Sequence, residues 1–302
     1  MVMALAVDGG EGTFPDLREV LSDLEALELS NWLPGKTLNA PDPEAARQIL
    51  VGIRCPAVVS PFCRSGTLRE DARSARFTAA EAELRALAGA VAAQSLQGAA
   101  ALRAPWLILE IGGLMPETGV VWKSLEERAV QCFQAGDQKG LEDHARQFRA
   151  AAARQNNSLL DRVCRSLFDL LRTDNANGVA ILTPGAPQDW PPLKSIEAIL
   201  SDLKSLKLAY WHDTGRAVRL ERLGGPSQGE WLERMGRHCA GTDLTDCIGV
   251  DAGLPAGSGE VDFRLVKEAL GSSAVRVVRA SPTGGRSSCI AAVRFLRGIG
   301  LC

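Results

Sequence analysis

Short apolar runs alternate with longer stretches of helical periodicity along the whole chain. The runs cover residues 4–7, 26–29, 57–60, 106–111, 179–183, 206–211, 239–244 and 275–280. Between them lie stretches whose apolar residues recur every three or four positions, as Leu17, Val20, Leu21 and Leu24 do in 16–24. The others are 43–51, 79–102, 159–172, 193–203, 229–237, 263–270 and 289–296. Strands that read as continuous apolar runs are buried on both faces, as parallel strands beneath helices are. Eight strand–helix units in strict alternation predict an α/β fold, a (β/α)8 TIM barrel formed as one domain over 1–302. The open doubly wound sheet is the alternative. Its dinucleotide-binding version needs a G-x-G-x-x-G turn after a strand, and neither Gly112-Gly113 nor Gly284-Gly285 supplies that spacing. Residues 113–158 are the most irregular part. They predict an enlarged loop over 131–140 and a polar-faced helix over 140–155, both after the fourth strand.

Composition narrows the partners. The 302 residues carry 34 Lys and Arg against 36 Asp and Glu, a net charge of −2. The two signs are interleaved rather than clustered, which excludes a broad nucleic-acid surface. No apolar stretch approaches the roughly 18 residues that span a bilayer, so no membrane partner is expected. Residues 1–7 lack a basic region and read as a first strand rather than a leader, which makes the expected location cytoplasmic. Eight scattered cysteines include no Cys-x-x-Cys pair and read as free thiols in a reducing compartment. His238, Cys239 and Cys247 are the one zinc-like grouping, at a spacing that matches no structural zinc pattern.

Four segments then carry a resemblance: Tyr210-Trp211-His212-Asp213-Thr214-Gly215-Arg216, Gly241-Thr242-Asp243-Leu244-Thr245-Asp246, 254–263 with Pro255, Gly257, Gly259, Val261, Asp262 and Phe263, and Val277-Val278-Arg279-Ala280-Ser281-Pro282. In order and spacing they resemble the sugar phosphate isomerase/epimerase group, the xylose-isomerase-like barrels whose relatives include endonuclease IV. Weaker echoes are Leu27-Glu28-Leu29-Ser30, placed on strand two, and Val59-Ser60-Pro61-Phe62-Cys63 after strand three.

The resemblance implies a divalent metal at the barrel mouth, held by Glu, Asp, His and Glu from strands five to eight. It also implies a proton moved between neighbouring carbons of a small sugar or polyol. This chain departs from that pattern. Thr183 stands where relatives place the first Glu, Asp213 is kept, Asp243 replaces the His, and Arg279 replaces the last Glu. Arg216 replaces the His of the strand-six motif, and Glu110 stands where relatives often carry His.

Three readings of the mouth follow. In the first, Arg216 and Arg279 supply the charge that a metal supplied and neutralise Asp213, Asp243 and Glu110. In the second, the arginines fork a small anionic ligand, with Asp246 and Thr183 beside them. In the third, Glu110, Asp213 and Asp243 form a rearranged all-oxygen site for Mg or Mn, and the same residues are the proton-transfer candidates. No cofactor is expected under the first two. The expected protein is a repurposed or inactive homologue that binds a small ligand or a homologous subunit; the alternative is an active isomerase or epimerase. Arg216, three residues after Asp213, is placed to lean toward solvent. His212 alternates away from the barrel interior, and His144 and His238 carry no catalytic role. Met115, Trp122 and Trp190 follow strands four and five, where apolar walls suit a sugar face.

Overall fold

A computed structural model of the chain describes residues 2–7, 16–34, 36–40, 42–64, 75–117, 120–172, 177–204, 207–279 and 285–301. One eight-stranded sheet organises it. In chain order its strands are β1 (Val2–Val7), β2 (Trp32–Pro34), β3 (Ala57–Val59), β4 (Trp106–Leu109), β5 (Gly178–Leu182), β6 (Leu208–Asp213), β7 (Cys239–Asp243) and β8 (Val275–Arg279). Every pairing in the sheet is parallel. The end strands β2 and β3 are drawn together by a parallel bridge between Asn31 and Arg54. Trp32 N–H donates to the Arg54 carbonyl at 2.9 Å, and Arg54 N–H donates to that of Ser30 at 3.0 Å. The sheet is therefore a nearly closed (β/α)8 barrel. Ala280, Ser281 and Pro282 of the fourth motif, with Leu206, Gly10 and Gly284, lie outside the described residues.

Strand alternation sorts the core into two layers. Ala4, Ala6, Leu33, Ala57, Val59, Ile108, Ala180, Leu182, Ala209, Trp211, Val275 and Val277 pack together inside the barrel. The second layer lies between the strands and the surrounding helices and holds the larger cluster, including Leu5, Val58, Leu107, Ile181 and Tyr210. The interior is mostly Ala and Val, and two indoles take up much of its space. The indole of Trp211 lies over Gly241, its own register partner on β7, where an added Cβ would fall 2.4 Å from the ring. Trp106 lies over its partner Gly178 in the same way.

The helices are α1 (Leu17–Leu27), α2 (Pro43–Ile49), α3 (Ala82–Ala101), α4 (Trp122–Ala135), α5 (Gln138–Leu171), α6 (Leu193–Asp202), α7 (Thr214–Arg222), α8 (Gln228–Met235), α9 (Phe263–Ala269) and α10 (Gly285–Gly298). Two expectations are corrected. Residues 26–29 are not strand two: Leu17, Val20, Leu24 and Leu27 form one buried stripe, so α1 continues to Leu27 and ends on Glu28 in the left-handed conformation. The strand follows at Trp32–Pro34. Residues 131–140 are not an enlarged loop either. Gly136, at φ 69°, ends α4, and Asp137 caps α5 by accepting from the Gly140 N–H at 2.9 Å.

From there α5 runs unbroken for 34 residues and merges two expected helices. Its buried stripe passes through Gln155, whose amide oxygen accepts from Met115 N–H at 2.7 Å and whose NH2 donates to the Glu117 carboxylate at 2.8 Å. A satisfied polar residue thus occupies a core position, and the apolar periodicity looks broken where the helix is not.

Accessory strands frame the C-terminal ends of the barrel strands. Thr37–Ala40 pairs with Phe62–Arg64, Gly112–Gly113 pairs with Asp189–Trp190, and Thr245–Ile248 forms a hairpin with Asp251–Pro255. Among the described residues no helix is long and apolar enough to cross a membrane.

Gly241→Ala is expected to overpack the barrel and lower the urea midpoint by the equivalent of about 1–3 kcal/mol. In a Trp211→Phe background that cost should fall by half or more, because the six-membered ring over Gly241 is gone. Equal costs in the two backgrounds would show that the indole does not set the glycine.

Candidate functional site

The site is built by register. Asp213 ends β6 and Asp243 ends β7 as its direct partner, while Arg279 lies two residues beyond Val277, the β8 partner of Asp243. By alternation Asp213 and Asp243 face the barrel axis with Trp211, and both are buried. They form the floor of a cleft of about 810 Å3 at the C-terminal ends of the strands. Glu110 reaches the cleft from the end of β4, Lys36 from beyond β2, Asp189 and Trp190 from beyond β5, and Asp251 from the hairpin after β7.

Cations and carboxylates interlock across this floor. Arg279 Nη2 donates to Asp243 Oδ2 at 2.7 Å, and the Asp243 side chain is 2% exposed. Arg216 does not lean toward solvent. It turns inward, with Nη2 donating to Glu110 Oε1 at 2.9 Å, Nε 3.4 Å from Asp213 Oδ2, and Nη1 donating to the Thr183 carbonyl at 3.3 Å. Lys36 Nζ donates to the other Glu110 oxygen at 2.5 Å. Asp213 caps α7 by accepting from Arg216 N–H at 3.0 Å, and it also accepts from Thr245 Oγ1 at 2.8 Å. Asp243 Oδ1 is buried with no hydrogen-bond partner.

These surroundings move the acid strengths in opposite directions. Burial pushes the Glu110 carboxyl up, but the charges of Lys36 and Arg216 outweigh it and hold the group down at about 2. Burial raises Asp243 despite Arg279, and the Asp213 charge adds to the rise. Burial also raises Asp189, one oxygen of which accepts from Gly185 and Ala186 N–H at 2.8 and 2.9 Å.

Two ligand-binding candidates have their side chains engaged away from the cleft. The Thr183 hydroxyl is buried against Tyr210 Oη at 2.6 Å and accepts from Asp213 N–H at 2.9 Å, so only its carbonyl serves the cleft. Asp246 is buried outside the cleft lining. Its carboxylate accepts four backbone N–H groups, from Cys247, Val261, Gly257 and Gly259, at 2.9–3.0 Å, and so pins the 257–261 loop. His212 faces the helices, with Nδ1 2.9 Å from Tyr210 Oη; burial lowers its pKa to about 4 and keeps it neutral. His238, Cys239 and Cys247 do not converge: Cys239 and Cys247 donate to the Gly241 and Gly249 carbonyls, and His238 meets Arg237. Trp190 lines the cleft, whereas the Trp122 indole packs on Phe148 and donates to the Met115 carbonyl.

No family model and no curated protein sequence matches the chain. Solved structures do. A xylose isomerase domain protein from Planctomyces limnophilus superposes with a TM-score of 0.56 at 14% identity, over 99% of this chain and 95% of that one. The 3-keto-D-glucoside 4-epimerase from E. coli gives 0.61 at 12% identity, over 99% and 100%. The IOLI protein, solved with a zinc atom bound, gives 0.63 at 12% identity, over 100% and 97%. The fold is that of the xylose-isomerase-like barrels.

A barrel of this kind raises the question of a metal. The donor chemistry of Glu110, Asp213 and Asp243, all oxygen, suits Mg or Mn. The geometry does not: two of the carboxylates share the Arg216 guanidinium and the third holds Arg279, so the oxygens that would bind an ion are already turned to side-chain cations. Among the described residues no three His, Cys, Asp or Glu side chains are arranged to hold one ion. Paired as they are, Glu110, Asp213 and Asp243 do not fit a divalent ion.

Lys36, Asp189 and Arg219 join the site without having been candidates. Lys36 lies just past the strand that periodicity misplaces. Arg219 sits one turn after Arg216 on α7, a spacing visible in the sequence, and it donates to Glu126 at 2.5 Å and to the Gly185 carbonyl at 2.6 Å.

A carboxylate whose folded pKa is depressed adds stability above its unfolded value, and that stability is lost as pH falls toward the folded value. Glu110 should therefore contribute at neutral pH and lose its contribution between about pH 4.3 and the folded value of about 2. Glu110→Gln is expected to be less stable than wild type at neutral pH, with urea midpoints that converge with wild type on acidification. Parallel curves across that window would mean that Lys36 and Arg216 do not hold Glu110 in solution.

Proposed function

We propose that this chain is a small-ligand-binding barrel of the sugar isomerase/epimerase fold in which two arginines have taken over the charge of the divalent ion, and that it does not catalyse a metal-dependent isomerisation. The observation that carries this reading is the pair of guanidiniums, Arg279 on Asp243 and Arg216 across Asp213 and Glu110. A buried carboxylate pair needs counter-charge, and here side chains provide it.

The acid–base candidates support the same reading. Glu110, held at about 2, is a weak base at neutral pH, and Asp213 has its oxygens committed to Thr245 and Arg216. The described cleft lining holds five cationic side chains and five carboxylates, without the basic stripe that a phosphate backbone requires. Its ligand is a small sugar-sized molecule, set against the apolar faces of Trp190, Leu182 and Val59. The described cysteines that are free, Cys55, Cys132, Cys164, Cys239, Cys247 and Cys289, support a reducing, cytoplasmic setting.

Elemental analysis of the purified protein is expected to find no stoichiometric zinc, manganese or magnesium, and chelation should leave its melting temperature unchanged. One tightly held divalent ion lost in Asp213→Ala would overturn this reading in favour of a metal-dependent isomerase. Arg279→Ala strands the Asp243 carboxylate and should cost about 3 kcal/mol in urea titration, the low end for a broken buried pair because one-fifth of the arginine side chain is exposed. A neutral result would show that the arginine holds no carboxylate in place.

A further inference from the structure

We propose that the ligand of the barrel mouth is a small hydroxylated amine, bound as its ammonium cation, with Asp243 Oδ1 as the receiving atom. The proposal rests on the reading of the mouth as a metal-independent ligand site.

The argument counts what the cleft has left to offer. Its described cations are engaged. Arg279 is on Asp243, Arg216 on Glu110, Asp213 and Thr183, and Lys36 on Glu110. Arg219 donates to Glu126 and to the Val250 and Gly185 carbonyls, and Arg76 donates to the Ala75 carbonyl. An incoming anion would have to displace a carboxylate from Arg279, Arg216, Arg219 or Lys36, or the Ala75 carbonyl from Arg76.

Acceptors, by contrast, are in surplus. Asp243 Oδ1 is fully buried at the cleft floor without a hydrogen bond. Asp189 spends one oxygen on two backbone N–H groups, and among the described residues the other accepts none. Asp251, on the hairpin that overhangs the cleft, is exposed and makes no ion pair among the described residues. An unsatisfied acceptor in low dielectric is a standing demand for a donor, and a charged donor meets it best. An ammonium at the floor meets that demand, while Asp189 and Asp251 lie along the approach with the same sign. The ligand's hydroxyls complete the match to the remaining carbonyl and carboxylate oxygens, and its C–H face to Trp190.

Titration calorimetry at neutral pH with three probes of one size tests this: glucosamine as the cation, glucose as the neutral form and gluconate as the anion. Glucosamine is expected to bind at least roughly ten-fold more tightly than glucose, and gluconate more weakly than either. Asp243→Asn should remove the preference for glucosamine over glucose. Because that change also loosens Arg279, Asp251→Asn on the exposed hairpin is the second variant, and it should narrow the preference for glucosamine over glucose about three-fold. Binding of glucose or gluconate with no preference for glucosamine overturns the proposal and leaves the metal-independent site standing. A preference that survives both variants overturns it as well. Binding of none of the three, with a divalent ion found in the protein, overturns both readings.

Discussion

Counter-charge at the strand ends is the condition on which the rest of this barrel depends. Register places Asp213 and Asp243 side by side, both turned to the axis, in a region closed off below by the Trp211 indole. Two like charges so placed are tolerated only if cations are fixed beside them. The neighbouring elements are arranged to meet that requirement. Arg279 comes from the end of β8, Arg216 from the first turn of a helix that Asp213 itself caps, and Lys36 from beyond β2 steadies Glu110 on the far side of Arg216. A mobile ion is optional in a protein's life, whereas a side chain is present whenever the chain is folded. Four of the mouth's cations are therefore part of the chain itself.

Much of the fold is legible in the sequence because parallel strands under helices are apolar on both faces. β3 to β8 stand out as uninterrupted runs for that reason, within a residue or two of their observed ends. The second strand is hidden. It is three residues long, ends in Pro34 and is preceded by a helix whose last leucines mimic a strand. The region after β4 is obscured in the opposite sense. Gly136 and Asp137 read as loop composition although they are a helix stop and a helix start back to back, and Gln155 breaks an apolar stripe that the helix itself does not break.

The site divides along the same line. Asp213, Asp243 and Arg279 are legible through the resemblance, which sets them at the ends of strands that register then brings together. Arg216 is readable as a residue but not as a direction: its inward turn is set by Glu110, which is 106 positions away in the chain. Lys36 and Asp189 depend on elements too short to leave a pattern. Asp246 looks like a ligand residue in sequence, because nothing in one dimension reveals that four amides of a later loop fold back onto it.

That carboxylate has a consequence for how the cleft meets its visitors. The hairpin above the mouth is anchored at its tip by Arg219 and Arg222, which donate to the Val250 and Gly249 carbonyls, and at its return by Asp246. A roof tied down at both ends by its own chain has little freedom left to lose. On this side of the mouth the outline is set by the fold itself, and Asp251 carries its charge on a support that is already in place.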